Sequence, residues 1–302
     1  MATNASHARR SSRLRVDARP NCIKFSLWQG ENLMQFGLGR VSVVVPTRGR
    51  PQALARCIAA LEAQTVAVEV VVVEDAEGRG PAWARNEGVR RAQGSVVCFT
   101  DDDCEPAPGW AEALAAPILA GQARVAAGPI FVAEGATAAD RAWETIVGYL
   151  QGRGSSPGTA SPGFAATANL AAERSLLEAV PFDESFPTAA GEDRDWAERV
   201  AGLGAAPLFV SAAAVIHASG STARAFIRQQ YRYGRGAARY RSVDQDRRRG
   251  SPSFYLGLLR AGAGAGLAPA LLVTAAQAAT LAGVIRETAK TRDIRGFLRS
   301  RR

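Results

Sequence analysis

The stretch SVVCFTDDDCEP, residues 95 to 106, ends an apolar, strand-like run in three consecutive carboxylates. If the extended geometry continues, Asp101 and Asp103 point the same way, about 7 Å apart at ~3.3 Å per residue, and Asp102 points elsewhere. Two such carboxylates can hold one hard cation, since Mg²⁺ prefers a few carboxylate oxygens together with water and phosphate oxygens. The stretch therefore predicts a site for a metal-bound diphosphate. A polar turn before a helix is the alternative, because it uses the same residue types.

Two earlier apolar runs have the β-branched composition of strands that are buried on both faces. VSVVV occupies residues 41 to 45 and VEVVVV residues 68 to 73, and a loop and a helix-like segment follow each run. This alternation predicts an α/β fold, in which ligands lie outside the carboxyl ends of the strands. The loop PTRGRP after the first run is neither GxGxxG nor GxxxxGK[ST], which argues against a nicotinamide-binding fingerprint and an ATPase P-loop.

The composition limits the class of partner. Among 302 residues, 37 Lys and Arg outnumber 28 Asp and Glu, and the formal charge of +9 favours anionic partners such as nucleotides, nucleic acid or acidic lipid. A hydrophobic fraction of 47% is enough for a globular core. The four cysteines form neither a CxxC pair nor a disulfide framework, so we assign no zinc site and expect a reducing compartment.

The two ends of the chain differ from its centre. Residues 1 to 40 are Arg-rich and aperiodic, and they are predicted to be a disordered basic tail, although an organellar transit peptide has a similar composition. Residues 221 to 302 are predicted to form a basic and apolar helical extension. Within it, residues 261 to 285 carry no charge and are long enough to cross a ~30 Å bilayer core, but Ala and Gly dominate and Pro269 interrupts them. We expect the extension to associate with the cytoplasmic face of a membrane, peripherally or as a single span, with a buried helical hairpin as the alternative.

A second acidic cluster lies in the segment AAGEDRDWAERVAGLG, residues 189 to 204. Its apolar residues recur at helical spacing, so Glu192 and Asp193 fall in the first turn of a helix that follows Gly191. Acidic residues there stabilise a helix by ~0.3–1 kcal/mol through its macrodipole, which is a sufficient structural explanation for them.

The segments VSVVVPTRGR, VVVVEDAEG, ARNEGVRRAQG and FTDDDCEPAPGW together resemble the nucleotide-binding half of a family-2 glycosyltransferase. The resemblance covers residues 41 to about 220. It implies a GT-A (Rossmann-like) domain with a mixed, mostly parallel sheet flanked by helices. Glu74 and Ala76 depart from the Asp and the Gly or Asn that relatives often have, so the resemblance does not identify the nucleotide base.

The resemblance also implies roles for individual residues. Asp193 matches the general base. The positions that match the nucleotide-sugar site are Pro46, Thr47, Arg48, Asp75, Arg85, Asp101 and Asp102. The ligands of Mg²⁺ or Mn²⁺ would be Asp103, Asp101 and His217. The positions on the acceptor and diphosphate side are Asn169, Glu192, Gln229, Arg232 and Tyr233. The Gly- and Ser-rich segment 152–163 would be a loop over the active site, or else an inert surface insertion.

The sequence thus predicts an inverting, metal-dependent glycosyltransferase. Its donor would be a nucleoside-diphosphate sugar, and its acceptor a hydroxyl of a lipid-linked or cell-surface glycan. No recognised nucleic-acid module accompanies the basic residues, so nucleic acid is not an expected partner. The alternatives are a nucleotidyltransferase of similar fold and a non-catalytic basic adaptor that binds membranes.

Overall fold

The computed structural model describes residues 15–19, 22–26, 41–152, 165–186, 190–218, 220–243 and 252–299. Almost all of the loop predicted at residues 152–163 lies outside these ranges.

The main sheet has eight strands in the order β1-β2-β4-β3-β5-β9-β7-β10, and a smaller sheet has the order β6-β11-β8. The strands are β1 (Arg15–Arg19), β2 (Cys22–Ser26), β3 (Val41–Thr47), β4 (Glu69–Glu74), β5 (Val96–Phe99), β6 (Cys104–Pro106), β7 (Val125–Ala127), β8 (Ile130–Val132), β9 (Leu170–Glu173), β10 (Leu208–Phe209) and β11 (Val215–His217). In the main sheet β2 and β9 run antiparallel to their neighbours, so the other strands share one direction. The mixed, mostly parallel α/β sheet predicted from the sequence is confirmed.

Helices cover both faces of the main sheet. They are α1 (Pro51–Glu62), α2 (Pro81–Arg91), α3 (Trp110–Leu119), α4 (Ala138–Leu150), α5 (Arg174–Ala179) and α6 (Glu192–Gly202). Successive strand residues point to opposite faces. Val43 and Val45 of β3 therefore pack with α1 and α3, whereas Val44 packs with α2, α5 and α6. Burial on both faces explains why these strands are rich in valine at successive positions and do not alternate between apolar and polar residues.

The N-terminal strands differ from the predicted disordered tail of residues 1 to 40. β1 and β2 form an antiparallel hairpin, and β2 pairs with β4 from Cys22 opposite Val73 to Ser26 opposite Glu69. The edge of a sheet presents unpaired N–H and C=O groups, and an added strand satisfies them. The alternating segment CIKFS indicates this strand, but the Arg-rich composition of residues 1 to 40 led to the prediction of a tail.

A helical layer covers the side of the molecule next to α4. It contains α7 (Ala223–Val243), α8 (Pro252–Gly264) and α9 (Leu267–Arg299), and its core includes Phe226, Leu258 and Val273. The charge-free run 261–285 is not one helix, because α8 ends within it and Gly266 follows with a φ of 106°. Pro269 lies in the first turn of α9, where a missing N–H breaks no intrahelical hydrogen bond. Among the described residues, Leu267–Lys290 is the one helical segment that has the length and mean hydropathy, 1.7, to cross a membrane.

Candidate active site

The three aspartates form a tight turn at the carboxyl end of β5. The strand ends at Phe99, and the N–H of Cys104 donates to the carbonyl oxygen of Asp101 at 3.0 Å. The extended geometry predicted for residues 101 to 103 is therefore wrong, because the chain turns to enter β6. As a result, each of the three carboxylates has its own set of partners.

Asp102 is fully buried and joins the turn to the loop after β3. The Thr47 hydroxyl donates to its Oδ2 at 2.6 Å and Arg50 Nε donates to the same atom at 3.2 Å. Burial raises the pKa of Asp102, and the hydrogen bond from Thr47 and the charge of Arg50 oppose that rise. Asp102 and Thr47 were both predicted to contact the nucleotide sugar, and in this structure their side chains hydrogen-bond to each other.

Asp103 lies between a guanidinium and an imidazole. Its Oδ2 accepts a hydrogen bond from Arg50, and its Oδ1 lies 3.6 Å from Nε2 of His217. His217 is brought here by the small sheet, in which it pairs with Cys104, and its ring stacks on Trp143 at 4.3 Å between centroids. The Nδ1 atom of His217 is buried and has no hydrogen-bond partner.

The metal-ligand set predicted from the sequence is only partly assembled. Asp103 and His217 face each other, whereas Asp101 turns to Arg85. Within the described ranges no group of three or more His, Cys, Asp or Glu side chains is placed to hold a metal ion. One carboxylate and one imidazole still match the donor types that Mn²⁺ accepts, so the pair fits a metal whose remaining ligands come from phosphate and water.

Arg85 connects the two acidic clusters. It is 4% exposed; its Nη1 donates to Glu192 at 2.9 Å, and its Nη2 lies 3.3 Å from an oxygen of Asp101. Glu192 is also buried, and its Oε2 has no hydrogen-bond partner. The cation that crosses from α2 therefore holds the end of β5 against the start of α6.

Asp193 follows Glu192 in the first turn of α6 and is half-buried. Its Oδ1 accepts the N–H of Arg194 at 2.8 Å, and no Lys, Arg or His in the described ranges forms an ion pair with it. Burial, followed by repulsion from Glu192, raises the pKa of Asp193 to about 7, and Arg85 acts in the opposite direction. A carboxyl that titrates near neutral pH and lacks a fixed cation is suited to proton transfer.

A cavity of about 290 Å³ connects these groups with the helical layer. Its charged lining residues include Arg85, Asp101, Glu192 and Asp193. Its lining from α4, α7, α8 and α9 includes Trp143, Gln230, Tyr233, Tyr240, Phe254, Tyr255, Leu258 and Gln277. Asp101 and Asp193, which the sequence predicted to act on opposite sides of one reacting bond, thus lie on one cavity.

The remaining predicted nucleotide residues lie at the ends of β3 and β4. Asp75 is buried and accepts the N–H groups of Arg79 at 2.7 Å and Gly80 at 2.8 Å, so both its oxygens hold the turn before α2. Arg48 is exposed and its guanidinium lies against Gly78. Pro46 is half-buried in β3.

Three acceptor-side predictions, Asn169, Gln229 and Arg232, do not line the cavity. Asn169 is fully buried; it accepts from Trp110 Nε1 at 2.8 Å and donates to the carbonyl oxygens of Pro129 and Ala213. Every polar atom of that side chain is thus used by the scaffold. Gln229 does not line the cavity, whereas its neighbour Gln230 does.

Arg232 is exposed and also lies off the cavity, whereas Tyr233 lines it, as does Glu192. Gln230 is 3% exposed, and its Nε2 has no hydrogen-bond partner. Sequence reasoning missed Gln230, Arg50 and Trp143. The signal for Arg50 was its place in the loop PTRGRP, after a strand adjacent to the one that ends in three aspartates.

The start of α6 is packed against α7 through glycines. Gly191, the residue before α6, has a φ of 94°, in the left-handed region that favours glycine. A Cβ on Gly236 of α7 would lie 2.1 Å from the carbonyl oxygen of Ala190. The two backbones are therefore in contact immediately before Asp193.

Comparisons with known proteins agree with this architecture. Residues 69–159 match the model of glycosyl transferase family 2. The mannosyltransferase PcManGT from Pyrobaculum calidifontis, solved in complex with GDP-Man and Mn²⁺, is 19% identical with a TM-score of 0.50, over 80% of this chain and 73% of that one.

A second similar structure is TarS of S. aureus, which is 15% identical over 81% of this chain and 54% of that chain, with a TM-score of 0.47. Residues 1–349 of TarS in complex with UDP are 16% identical over 84% of this chain and 91% of that chain, with a TM-score of 0.46. No curated protein matches the chain by sequence.

The resemblance stated from the sequence is confirmed: residues 69–159 match glycosyl transferase family 2, and the mixed, mostly parallel α/β architecture is similar to a GT-A fold.

Proposed function

We propose that this protein is an inverting glycosyltransferase that moves a sugar from a nucleoside-diphosphate sugar to a hydroxyl acceptor. The observation that carries the proposal is that Asp101, after β5, and Asp193, at the start of α6, line one cavity, and that Arg85 pairs with both Asp101 and Glu192, the neighbour of Asp193. An acid cluster at a strand end is suited to the diphosphate side of the donor, and an unpaired carboxylate to the acceptor side.

Asp193 is the general base of the proposed reaction. It takes the proton of the acceptor hydroxyl as that oxygen forms a bond to the anomeric carbon. The bond from the anomeric carbon to the diphosphate oxygen breaks in the same displacement, and the nucleoside diphosphate leaves with the electron pair. A single displacement inverts the anomeric centre, and it needs no covalent nucleophile on the protein.

The leaving diphosphate requires positive charge. Asp103 and His217, together with Asp101 if it leaves Arg85, are the residues that would hold Mn²⁺ or Mg²⁺. When bound, such a metal ion supplies electrostatic stabilisation of the phosphate oxygens. The imidazole makes Mn²⁺ the better match of the two, since Mg²⁺ prefers oxygen ligands. Support for a divalent metal and for a nucleoside-diphosphate sugar also comes from the mannosyltransferase of similar fold, which binds GDP-Man and Mn²⁺.

The acceptor in this proposal is a lipid-linked or cell-surface glycan, and the protein works at the cytoplasmic face of a membrane. The support is the apolar segment Leu267–Lys290 of α9 and the aromatic and aliphatic wall that α8 gives to the cavity. The basic composition of the chain suits an anionic leaflet.

The proposal is tested with a panel of UDP-, GDP- and dTDP-sugars and Mn²⁺, first by thermal stabilisation and then by release of nucleoside diphosphate with glycan acceptors. Asp193→Asn should retain donor binding and lose ~10²- to 10⁴-fold in transfer, the usual contribution of a general base. Asp103→Ala should weaken metal-dependent donor binding. Glu198→Gln, an exposed carboxylate of the same helix, is the matched control and should change neither.

Wild-type transfer by Asp193→Asn would overturn the assignment of the base. Incorporation of a nucleoside triphosphate with release of pyrophosphate would instead identify a nucleotidyltransferase. Lipid binding without turnover of any donor would identify a non-catalytic adaptor.

A further inference from the structure

One side of α9 exposes large apolar residues to solvent. Leu267, Leu271, Leu281 and Ile285 are 80%, 64%, 59% and 61% exposed. At 100° per residue their spacings of 4, 10 and 4 return to the same side of a helix. Thr274 and Ala278 complete the stripe and are also exposed.

The neighbouring helix α8 extends this surface. Tyr255, Leu256 and Leu259 are exposed as well, at 40%, 48% and 39%. We call the combined surface the α8–α9 apolar face, defined by Tyr255, Leu256, Leu259, Leu267, Leu271, Leu281 and Ile285. This many large exposed apolar side chains on two helices that pack together is unusual on a soluble monomer and indicates an interaction site.

The opposite side of α9 is fixed to α7 at backbone distance. A Cβ on Gly234 would lie 1.9 Å from the carbonyl oxygen of Thr280, and a Cβ on Gly283 would lie 2.1 Å from the carbonyl oxygen of Tyr231. Arg235 of α7 also donates to Glu287 of α9 at 2.7 Å. α9 therefore cannot move without α7.

This attachment bears on how α9 meets a membrane. The cationic residues of α7 are Arg224, Arg228, Arg232, Arg235, Arg239 and Arg241. Tyr231 lies against Gly283 and Gly234 lies against Thr280, so the arginines of α7 from Arg232 onward run beside the apolar part of α9. If α9 crossed a bilayer while packed on α7, those guanidinium groups would enter the hydrocarbon, where charged side chains are strongly disfavoured. A helix that lies in the interface plane avoids this, because only its apolar face meets the acyl chains.

Charged residues next to the apolar face indicate which lipid surface fits. Three exposed cations flank the charge-free part of α9 along the chain. Arg260 of α8 precedes it, and Arg286 and Lys290 of α9 follow it. Long cationic side chains can lie along an apolar surface with their charged ends at the lipid headgroups. The formal charge of +9 for the chain also favours an anionic surface.

We propose that the α8–α9 apolar face docks in the plane of an anionic phospholipid bilayer, and that α9 does not span it. The docking goes beyond the proposed reaction and does not depend on it. It has a consequence for the cavity, because Phe254, Tyr255 and Leu258 of α8 form part of the cavity wall. Docking brings that wall to the boundary between lipid and water, where an amphipathic acceptor presents its hydroxyl groups.

The docking is tested by flotation of the full chain with phosphatidylcholine vesicles that contain or lack phosphatidylglycerol. The wild type should float with the anionic vesicles, and less in high salt, because screening weakens exposed charges. The double variant Leu271→Glu/Leu281→Glu should lose about tenfold or more of its bound fraction, since two apolar contacts are replaced by like charges. Leu203→Glu is the control, because Leu203 is 62% exposed outside the face, and it should float as the wild type does.

Flotation of the double variant at the wild-type level, with an unchanged circular dichroism spectrum, would overturn the proposal. So would a stable dimer in sedimentation that the double variant dissociates, combined with no vesicle binding by the wild type. In that case a second copy of the chain covers the face.

The orientation is tested with Gly264→Cys and Ala289→Cys, at positions that flank the apolar part of α9. Ala289 is exposed, and a Cβ on Gly264 meets open space, so both substitutions are compatible with the fold. In inside-out vesicles from cells that express the full chain, a membrane-impermeant maleimide should label both positions without detergent. Labelling of one position only after detergent would show a spanning helix and overturn the in-plane arrangement.

Discussion

Asp102 and Asp193 are buried to different degrees in two acidic clusters of one site, and they differ in what surrounds them. Burial raises the pKa of both. Asp102 has a hydroxyl donor and a guanidinium, whereas Asp193 has one backbone N–H, and the nearest buried cation, Arg85, is shared between Asp101 and Glu192. The difference teaches that an acid in a motif is a reacting group only when its neighbours leave it free to exchange a proton.

The largest expected effect comes from removal of the cation that holds the clusters together. Arg85→Leu should lower the free energy of unfolding by ~3–5 kcal/mol, because it leaves the buried Glu192 and the partly exposed Asp101 without their partner. Urea denaturation followed by circular dichroism measures the change. Arg90→Leu, which removes an exposed ion pair from the same helix, is the control and should cost less than ~1 kcal/mol.

If Arg85→Leu lowered the free energy of unfolding as little as Arg90→Leu does, the buried network would contribute nothing to stability. The proposed difference between the two clusters would then be wrong. Adding Glu192→Gln to Arg85→Leu should recover part of the loss, since a neutral amide is less costly to bury than an unpaired carboxylate.

The pH dependence is the second test, and it separates Asp193 from Asp102. The pKa of about 7 for folded Asp193 lies above the unfolded value of ~3.9. If Asp193 is the base, turnover should rise about tenfold per pH unit below an apparent pKa near 7 and level off above it. A pH series of turnover with saturating donor and acceptor measures this.

The same pKa shift affects stability with the opposite trend. The folded state binds the proton of Asp193 more tightly, so its contribution to stability is complete below about pH 4 and is lost as pH rises through about 7. The difference in free energy of unfolding between the wild type and Asp193→Asn, measured by urea denaturation from pH 4 to 8, should show this decline. A difference that does not change with pH would contradict the raised pKa.

The smallest of these effects concerns the support of Asp102. Thr47→Val keeps the shape of the side chain but removes the donor at 2.6 Å, and it should lower the free energy of unfolding by ~1–2 kcal/mol. Thr65→Val is the matched control, because its hydroxyl donates to Glu112 at the surface, and it should stay within ~0.5 kcal/mol of the wild type. Equal effects of the two substitutions would mean that Asp102 gains nothing from its buried donor.

Much of the fold could be predicted because burial on both faces leaves a direct trace in sequence. The runs at residues 41–45 and 68–73 have no alternation, which only a strand covered by helices on both sides permits. The hairpin of β1 and β2 was missed, because Arg-rich flanks hid one short alternating run and a sheet edge is not visible in sequence.

Side-chain directions in the site were harder to predict, because they depend on contacts distant along the chain. Asn169 was expected near the acceptor, but Trp110, Pro129 and Ala213 satisfy all of its polar atoms. On α7 the resemblance to a sequence motif selected Gln229. The next residue is rotated by ~100° around the helix axis, and it is Gln230 that lines the cavity.

The contact between Gly236 and Ala190 has a mechanical consequence. Gly236 has no side chain and Ala190 has only a methyl group, so a shift of α7 should move the residues before Asp193 directly, because no flexible side chain lies between them. The distance between Asp193 and Asp101 therefore depends on the position of α7, a helix outside the sheet. Exchange of α7 to α9 between related chains should alter this distance even where every acidic residue is retained.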